Sequence, residues 1–143
     1  MLAIRLDEKT ESRLEDLSSK TGRTKTWYVR KAIETYIDDL EDAAIAASAY
    51  EEYLFDGGKS SPLEDVRRRL GLSRQAEKEL AAINKPDALR IAKYLAELEK
   101  LQDPRLRGKA LSANLSGLWR YRIGDWRVLC RIEDGCLIVL VVQ

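Results

Sequence analysis

The stretch that decides the fold reads LWRYRIGDWRVLCRIEDGCLIVLVV and occupies residues 118–142. It contains three runs of aromatic, aliphatic and β-branched residues, and the dipeptides between the runs, Gly-Asp and Asp-Gly, are typical of tight hairpin turns. The runs cover residues 118–123, 126–133 and 136–142. We therefore predict an antiparallel meander, whose last strand is apolar on both faces and lies centrally in the sheet.

The first turn of the meander sets the register of its arginines. With Ile123 opposite Trp126, Arg122 faces Arg127 across the strand pair. Four guanidinium groups on one face repel one another unless an anionic group lies there. That group is either RNA, which arginine binds through phosphates and base stacking, or the acidic block at residues 34–66, from the same chain or across a dimer. The arginines that alternation puts on this face are Arg120, Arg122, Arg127 and Arg131.

The remainder of the chain has mainly helical periodicity and predicts an α+β protein. Its N-terminal part has the order strand, helix, helix, and its C-terminal part places a helical hairpin on the meander. The expected elements are a strand at 2–6, helices at 7–21 and 24–54, a linker at 56–60, a short helix at 62–70, and helices at 73–83 and 86–101.

Composition excludes several kinds of chemistry. The chain has 143 residues, 45% of them hydrophobic, and it contains no histidine, which removes imidazole catalysis and most zinc sites. Cys130 and Cys136 fall on opposite faces of one predicted hairpin, so we expect two free thiols, as in a reducing cytoplasm. We also expect no metal, no cofactor and no membrane span.

Charge is distributed unevenly along the sequence. The net charge is +3 over residues 1–33, −9 over 34–66 and +7 over 67–143. Two basic ends around an acidic middle indicate two surfaces for anionic partners, and the acidic block can cover one of them. Ordinary solvated helix faces are the alternative interpretation.

The order strand, helix, helix is typical of a ribbon-helix-helix dimer, in which two N-terminal strands pair and enter the major groove of DNA. Alternation places Ala3 and Arg5 toward the bases, and Arg5 can read guanine. The start of the second helix offers free backbone N–H groups to a phosphate. The residues expected at this phosphate site are Arg23, Thr24, Lys25 and Thr26.

Residues 2–7, 21–30 and 61–72 resemble the ribbon-helix-helix antitoxins of the RelB type. This resemblance implies a dimer that binds operator DNA, represses its own operon and wraps a toxin with its C-terminal half. Toxin-binding residues are then expected on the short helix and on the acidic second helix. They are Leu63, Val66 and Leu70 on the former, and Glu34, Asp38, Asp39, Glu41 and Asp42 on the latter.

Residues 73–80, 118–129 and 137–142 resemble the RelE/ParE toxin superfamily. RelE-type members are metal-independent, ribosome-dependent mRNA endonucleases, and the resemblance maps their strand cations onto Arg120, Arg122 and Arg127 as catalytic residues. ParE-type members use the same fold to poison DNA gyrase. Members usually have a strand before the first helix and further cleavage residues after the last strand, and we expect this chain to lack both.

The sequence therefore predicts a type II toxin–antitoxin protein with three parts: a DNA-binding and dimerisation module at 1–55, a linker with a toxin-binding helix at 56–72, and a RelE-like module at 73–143. A fusion of the two modules and two partner chains written as one are both compatible with this division. The main prediction is autorepression with the toxin held neutral. An active mRNA endonuclease and a gyrase inhibitor are the alternatives, with the ribosome, mRNA or gyrase as partner.

Overall fold

The computed structural model describes residues 1–62, 70–111, 117–133 and 135–143. The helices are α1 (Glu8–Thr21), α2 (Lys25–Phe55), α3 (Arg74–Ala82) and α4 (Lys85–Glu99), and a short 3-10 helix covers Pro104–Arg107. The strands are β1 (Ser61–Pro62), β2 (Leu70–Leu72), β3 (Lys109–Ala110), β4 (Leu118–Ile123), β5 (Trp126–Glu133) and β6 (Cys136–Val142). The described helices include none that is long and apolar enough to span a membrane.

The chain divides into two compact units, Met1–Asp38 and Asp39–Gln143. The division falls inside α2, whereas the sequence placed its boundaries after residues 55 and 72. In the first unit, Asp7 caps α1 by accepting a hydrogen bond from the Thr10 N–H at 2.9 Å, and Gly22 ends the helix at φ 71°. Both ends agree with the predicted helix.

The strand predicted at residues 2–6 is absent from the single chain, where residues 1–7 form neither helix nor strand. A strand needs a hydrogen-bonded neighbour, and none of the described strands pairs with this segment. Ala3 and Arg5 are therefore exposed. No residue of the first unit is buried, because α1 and the first part of α2 alone offer too little apolar surface for a core.

The second unit is built on a sheet with strand order β1-β2-β6-β5-β4-β3. Strands β4, β5 and β6 form the predicted antiparallel meander, with the predicted bounds. Strand β6 lies between β2 and β5, which confirms its predicted central place. The helical hairpin is also confirmed, since Ser73 caps α3 and Asn84 caps α4.

The short helix predicted at 62–70 is wrong at both ends, because Pro62 lies in β1 and Leu70 in β2. Strand β2 runs parallel to β6, with Leu70 opposite Leu137. Leu70 is buried in the sheet, so it packs in the core and presents no helix face to a toxin groove. Leu63 and Val66 lie outside the described residues. The strand before α3, which the sequence suggested was missing, is present as β2.

Helices cover both faces of the sheet. Helices α3 and α4 pack on one face, where Ile91, Leu95 and Tyr121 are fully buried. The part of α2 that belongs to the second unit packs on the opposite face, against Leu129 and Leu140. The two free cysteines lie on opposite faces of the sheet, as predicted. Cys130 lies in the core beneath α3 and α4, and Cys136 packs beside the core beneath α2.

A bulge in β6 presents a carbonyl group that is hydrogen-bonded to the N-cap residue of α3. The register passes from Cys130 opposite Val139 to Leu129 opposite Val141, so Leu140 is the extra residue. The Ser73 hydroxyl donates to the Leu140 carbonyl at 2.9 Å and also accepts from the Ala76 N–H at 3.1 Å. One side chain thus caps α3 and satisfies the bulged carbonyl.

Candidate functional site

The arginine face of the sheet is the candidate functional site. Strands β4 and β5 pair with Ile123 opposite Trp126 and Arg122 opposite Arg127, as predicted. Arg120 is buried, Arg127 and Arg131 are partly buried, and Arg122 is exposed. The anionic group that this face requires is supplied by carboxylates of the same chain, which was one of the two predicted alternatives.

Asp42 of α2 lies at the centre of this site, with a side chain that is 0% exposed. Its Oδ2 lies 2.8 Å from Arg120 Nη1, and its Oδ1 lies 2.9 Å from Arg127 Nη1. The side-chain amide of Gln143 also donates to Oδ1 at 3.3 Å. Since a buried carboxylate is stable only when its oxygens are paired, these three donors explain how Asp42 remains inside the protein.

Asp39, one helical turn before Asp42, extends the same network. Its Oδ1 forms an ion pair with Arg120 Nη1 at 2.8 Å, without hydrogen-bond geometry, and its Oδ2 accepts a hydrogen bond from Lys109. Arg120 therefore lies between two carboxylates that are spaced i, i+3 on one helix face.

Opposing effects set the pKa values in this network. Burial raises the pKa of Asp39, but the hydrogen bond from Lys109 and the charge of Arg120 outweigh it and leave the pKa lowered. For Arg120, burial lowers the pKa, and the hydrogen bond to Asp42 with the charge of Asp39 raises it above its ordinary value. Both shifts favour the charged forms of Asp39 and Arg120.

Small residues bring α2 close to the sheet beyond the carboxylates. Ala43, Ala46 and Ala49 are all buried, and Ala46 is 0% exposed. They pack on the apolar side chains of Leu111, Leu118, Leu129, Ile138, Leu140 and Val141. Helical spacing puts these alanines on the same face of α2 as Asp39 and Asp42, so one stripe of α2 makes the whole contact.

A second polar contact fixes the far end of the stripe. The Tyr50 hydroxyl donates to Glu133, whose carboxylate also accepts from Arg131 Nε at 2.9 Å, and the Arg131 guanidinium lies 4.6 Å from the centre of the Tyr50 ring. The hydrogen bond to Glu133 is the largest cause that raises the pKa of Tyr50, and burial adds to it. Arg131 thus contacts both members of this pair.

Not every predicted residue joins the site. Within the described residues Arg122 makes no ion pair, and Glu41 is exposed on α2. Glu34 and Asp38 belong to the first unit, so their role in toxin binding stays a prediction. The catalytic role suggested for Arg120, Arg122 and Arg127 likewise stays a prediction.

Sequence reasoning missed several participants. Lys109, Gln143 and the Tyr50–Glu133 pair were not proposed as site residues. For Tyr50 a signal existed, because Asp39, Asp42, Ala46 and Tyr50 recur at helical spacing. For Lys109 and Gln143 the sequence carries no comparable signal, since strand pairing alone brings β3 and the end of β6 to Arg120 and Arg127.

The predicted DNA-binding residues lie in the first unit. The Arg23 guanidinium stacks on the Trp27 ring at 4.9 Å, and Lys25 forms ion pairs with Glu11 at 3.3 Å and Glu15 at 2.7 Å. Thr24 accepts a hydrogen bond from the Trp27 N–H at 3.1 Å, as a helix cap does. Thr26 is exposed. In the free chain three of the four predicted phosphate ligands, Arg23, Thr24 and Lys25, therefore have internal partners.

Comparison with known proteins now identifies both parts of the chain. Residues 70–143 match the ParE toxin of type II toxin-antitoxin system, parDE, and residues 2–44 match the TraY domain, which is of the ribbon-helix-helix type. Among solved structures, the toxin–antitoxin complex RelBE2 from Mycobacterium tuberculosis is similar, with 24% identity over 52% of this chain and 93% of that chain and a TM-score of 0.46. No curated protein matches the chain.

A module of the ribbon-helix-helix type and a ParE-type toxin module in one chain define a toxin–antitoxin system protein. Since the toxin match takes in more than half of the residues, the chain belongs to the ParE toxin family of type II toxin–antitoxin systems. The predicted resemblance to toxin–antitoxin proteins is confirmed. The match begins at Leu70, where β2 begins, so it includes the strand that the sequence interpretation left out.

Proposed function

We propose that this protein is a self-neutralised toxin–antitoxin chain, in which the segment Asp39–Tyr53 of α2 acts as the antitoxin toward residues 70–143 of the same chain. The observation that carries the proposal is the complete burial of Asp42 between Arg120 and Arg127. A toxin that acts through these cations cannot use them while Asp42 holds them.

The connection between the antitoxin segment and the toxin fold supports neutralisation within one chain. The Tyr53 hydroxyl donates to the Gly58 carbonyl at 2.6 Å, and the Gly58 N–H donates to the Tyr53 carbonyl at 2.9 Å. Gly57 and Gly58 both have positive φ, which lets the chain reverse at the end of α2. This turn ties α2 directly to β1, so the effective concentration of the antitoxin segment at the sheet is high.

We further propose that the first unit forms a dimer and represses its own operon by binding operator DNA. Its apolar side chains support this, because they are exposed in the single chain although each is large enough to fill a core. A second copy that pairs residues 2–6 and covers these helices would bury them. The exposed side chains are Leu2, Ile4, Leu17, Trp27, Ile33, Tyr36 and Ile37.

For the toxin activity itself we propose a ParE-type effect on DNA gyrase in preference to RelE-type mRNA cleavage. The match of residues 70–143 to the ParE family supports this choice. We expect either toxin activity only after α2 leaves the arginine face. If the activity is RelE-type mRNA cleavage, the ribosome with mRNA would be the partner.

A supercoiling assay with purified gyrase tests the proposal. The wild-type chain should leave supercoiling unchanged, and the double variant Asp39→Asn, Asp42→Asn should inhibit it, because its α2 no longer holds the arginines. Glu41→Gln, on the exposed side of the same helix turn, is the matched control and should behave as wild type. Inhibition by the wild type equal to that by the double variant would contradict self-neutralisation, and cleavage of mRNA in a translation extract would favour the RelE-type activity.

A further inference from the structure

The contact between α2 and the sheet contains more buried charge than a permanent cover requires. Replacing a buried ion pair with apolar residues of similar size is often neutral or stabilising. Most of this contact is indeed apolar, from Ala43 to Ala49 against the sheet. Arg120, whose side chain is only 5% exposed, is nevertheless held between two carboxylates at one end of it. A second use for this cationic pocket, besides holding α2, would explain why charged groups are buried at this end of the contact.

We propose that the pocket filled by Asp39 and Asp42 is the target-binding site of the toxin module, and that the target is a protein presenting an acidic amphipathic helix. The recognised pattern is two carboxylates one helical turn apart, followed on the same face by small residues. The antitoxin segment of α2 then neutralises the toxin by imitating its target. This inference rests on the proposed function, since it assumes that α2 is the neutralising element.

The backbones that carry the donors of the pocket are paired within the sheet. The backbones of Arg127 and Gln143 pair with each other at 2.6 Å and 2.9 Å, and Lys109 lies opposite Arg120 in the β3–β4 ladder. The backbone positions of four side-chain donors, on three strands and the C-terminal residue, are therefore set by the sheet, while Asp39 and Asp42 orient the guanidinium groups. A site whose backbone is fixed before its ligand arrives has only side chains to order when it binds.

The surroundings of the pocket favour a protein helix over a nucleic acid. Next to the arginines the sheet offers a strip of leucine and valine side chains, each no more than 2% exposed beneath α2, formed by Leu118, Leu129, Leu140 and Val141. A sugar–phosphate backbone would leave this strip in contact with water. A helix with small residues covers it, as Ala46 now does with 0% exposure.

The test measures binding of two labelled alanine-rich helical peptides to the full chain by fluorescence anisotropy. One peptide carries two aspartates at i and i+3, and the other carries them at i and i+2, on different helix faces but with the same composition. We expect the double variant Asp39→Asn, Asp42→Asn to bind the i, i+3 peptide at least tenfold more tightly than the i, i+2 peptide. The wild type, whose pocket is filled, should bind neither.

Matched arginine substitutions locate the binding. In the double-variant background, Arg127→Leu should abolish the preference for the i, i+3 peptide, whereas Arg122→Leu, at the cross-strand neighbour, should retain it. If circular dichroism shows that the double variant does not fold, Ala46→Arg replaces it. Ala46 is 0% exposed, so we expect a large charged side chain there to displace α2 without altering any residue of the sheet.

Each result has a distinct meaning. Equal binding of both peptides, or loss of preference with Arg122→Leu but not with Arg127→Leu, would overturn the inference. Tighter binding of a 20-nucleotide single-stranded DNA than of the i, i+3 peptide would also overturn it and indicate a nucleic-acid target. Binding of the peptide by the wild type as tightly as by the double variant would instead refute self-neutralisation, which is the proposed function.

Discussion

Asp42 is the buried carboxylate through which α2 contacts two strands of the second unit. It is fully buried and holds two arginines that come from neighbouring strands. Loss of its carboxylate leaves both guanidinium groups close together, with Asp39 as the remaining counterion of Arg120. A buried pair that loses one partner is costly because the desolvated charge stays behind.

We expect Asp42→Ala to lower the free energy of unfolding by about 3–5 kcal/mol, the range for breaking a buried ion pair. Glu41→Ala, which is exposed, should change it by less than about 0.5 kcal/mol. Equilibrium unfolding in urea measures both. Equal, small effects of the two substitutions would show that Asp42 is not part of a buried network.

Asp39 gives the network a pH dependence with a defined sign. Its pKa is lowered in the folded protein from an ordinary value of 3.8, so its ion pairs stabilise the fold fully above that pH. As the pH falls below 3.8 through the folded-state pKa, the unfolded chain binds the proton first and the contribution is lost. The difference in unfolding free energy between wild type and Asp39→Asn should therefore be constant from about pH 7 to 5 and shrink below about pH 4. A difference that grows on acidification would contradict this assignment.

The sequence predicted the arginines of the site more completely than their partners. Arg120, Arg122 and Arg127 follow from strand alternation and one turn, which are local rules. The choice of Asp39 and Asp42 among the acidic residues of α2 depends on which helix face meets the sheet. That orientation is a long-range property, and the many charges on α2 do not reveal it.

Among the elements, α2 is the one that links both parts of the proposed function. Its contact with the sheet depends on small side chains, and Ala46 has no free space around it at 0% exposure. We expect Ala46→Leu to lower the free energy of unfolding by about 1–3 kcal/mol through overpacking. Ala44→Leu, at an exposed position of the same helix, is the control and should be nearly neutral. Thermal melting curves recorded by circular dichroism compare the two variants. If the curves of Ala46→Leu and Ala44→Leu coincide, the described packing of α2 is contradicted.

Elements with a strong local pattern were predicted well, and short paired elements were not. The meander strands β4 to β6 have the predicted bounds because each combines a run of apolar residues with a turn signal. Strand β2 has only three residues, Leu-Gly-Leu, and its partner β6 lies far along the chain. Such a short segment shows no periodicity, so we predicted that the preceding helix continues to Leu70. The prediction of a strand at residues 2–6 was wrong for the opposite reason. Its alternating pattern is clear, but none of the described strands of the single chain pairs with it.

At the scale of the whole molecule, the proposed repressor activity predicts a specific effect of Arg5. We expect Arg5→Ala to weaken binding to DNA from upstream of the protein's own gene by about tenfold or more, the typical cost of one lost base contact. Binding to unrelated DNA should weaken less, because phosphate contacts carry no sequence information. Gel-shift titrations at one fixed salt concentration measure both affinities, and equal losses on the two DNAs would contradict base reading by Arg5.

Growth of bacteria that express the protein tests the central claim, self-neutralisation by α2, most directly. Cells expressing the wild type or Glu41→Gln should grow as cells with an empty vector do. Cells expressing Asp39→Asn, Asp42→Asn at an equal level of folded protein should stop growing, because the ion pairs that hold α2 on the arginine face are then lost. Normal growth with the folded double variant, or arrested growth with the wild type, would contradict the claim that α2 holds an active toxin neutral.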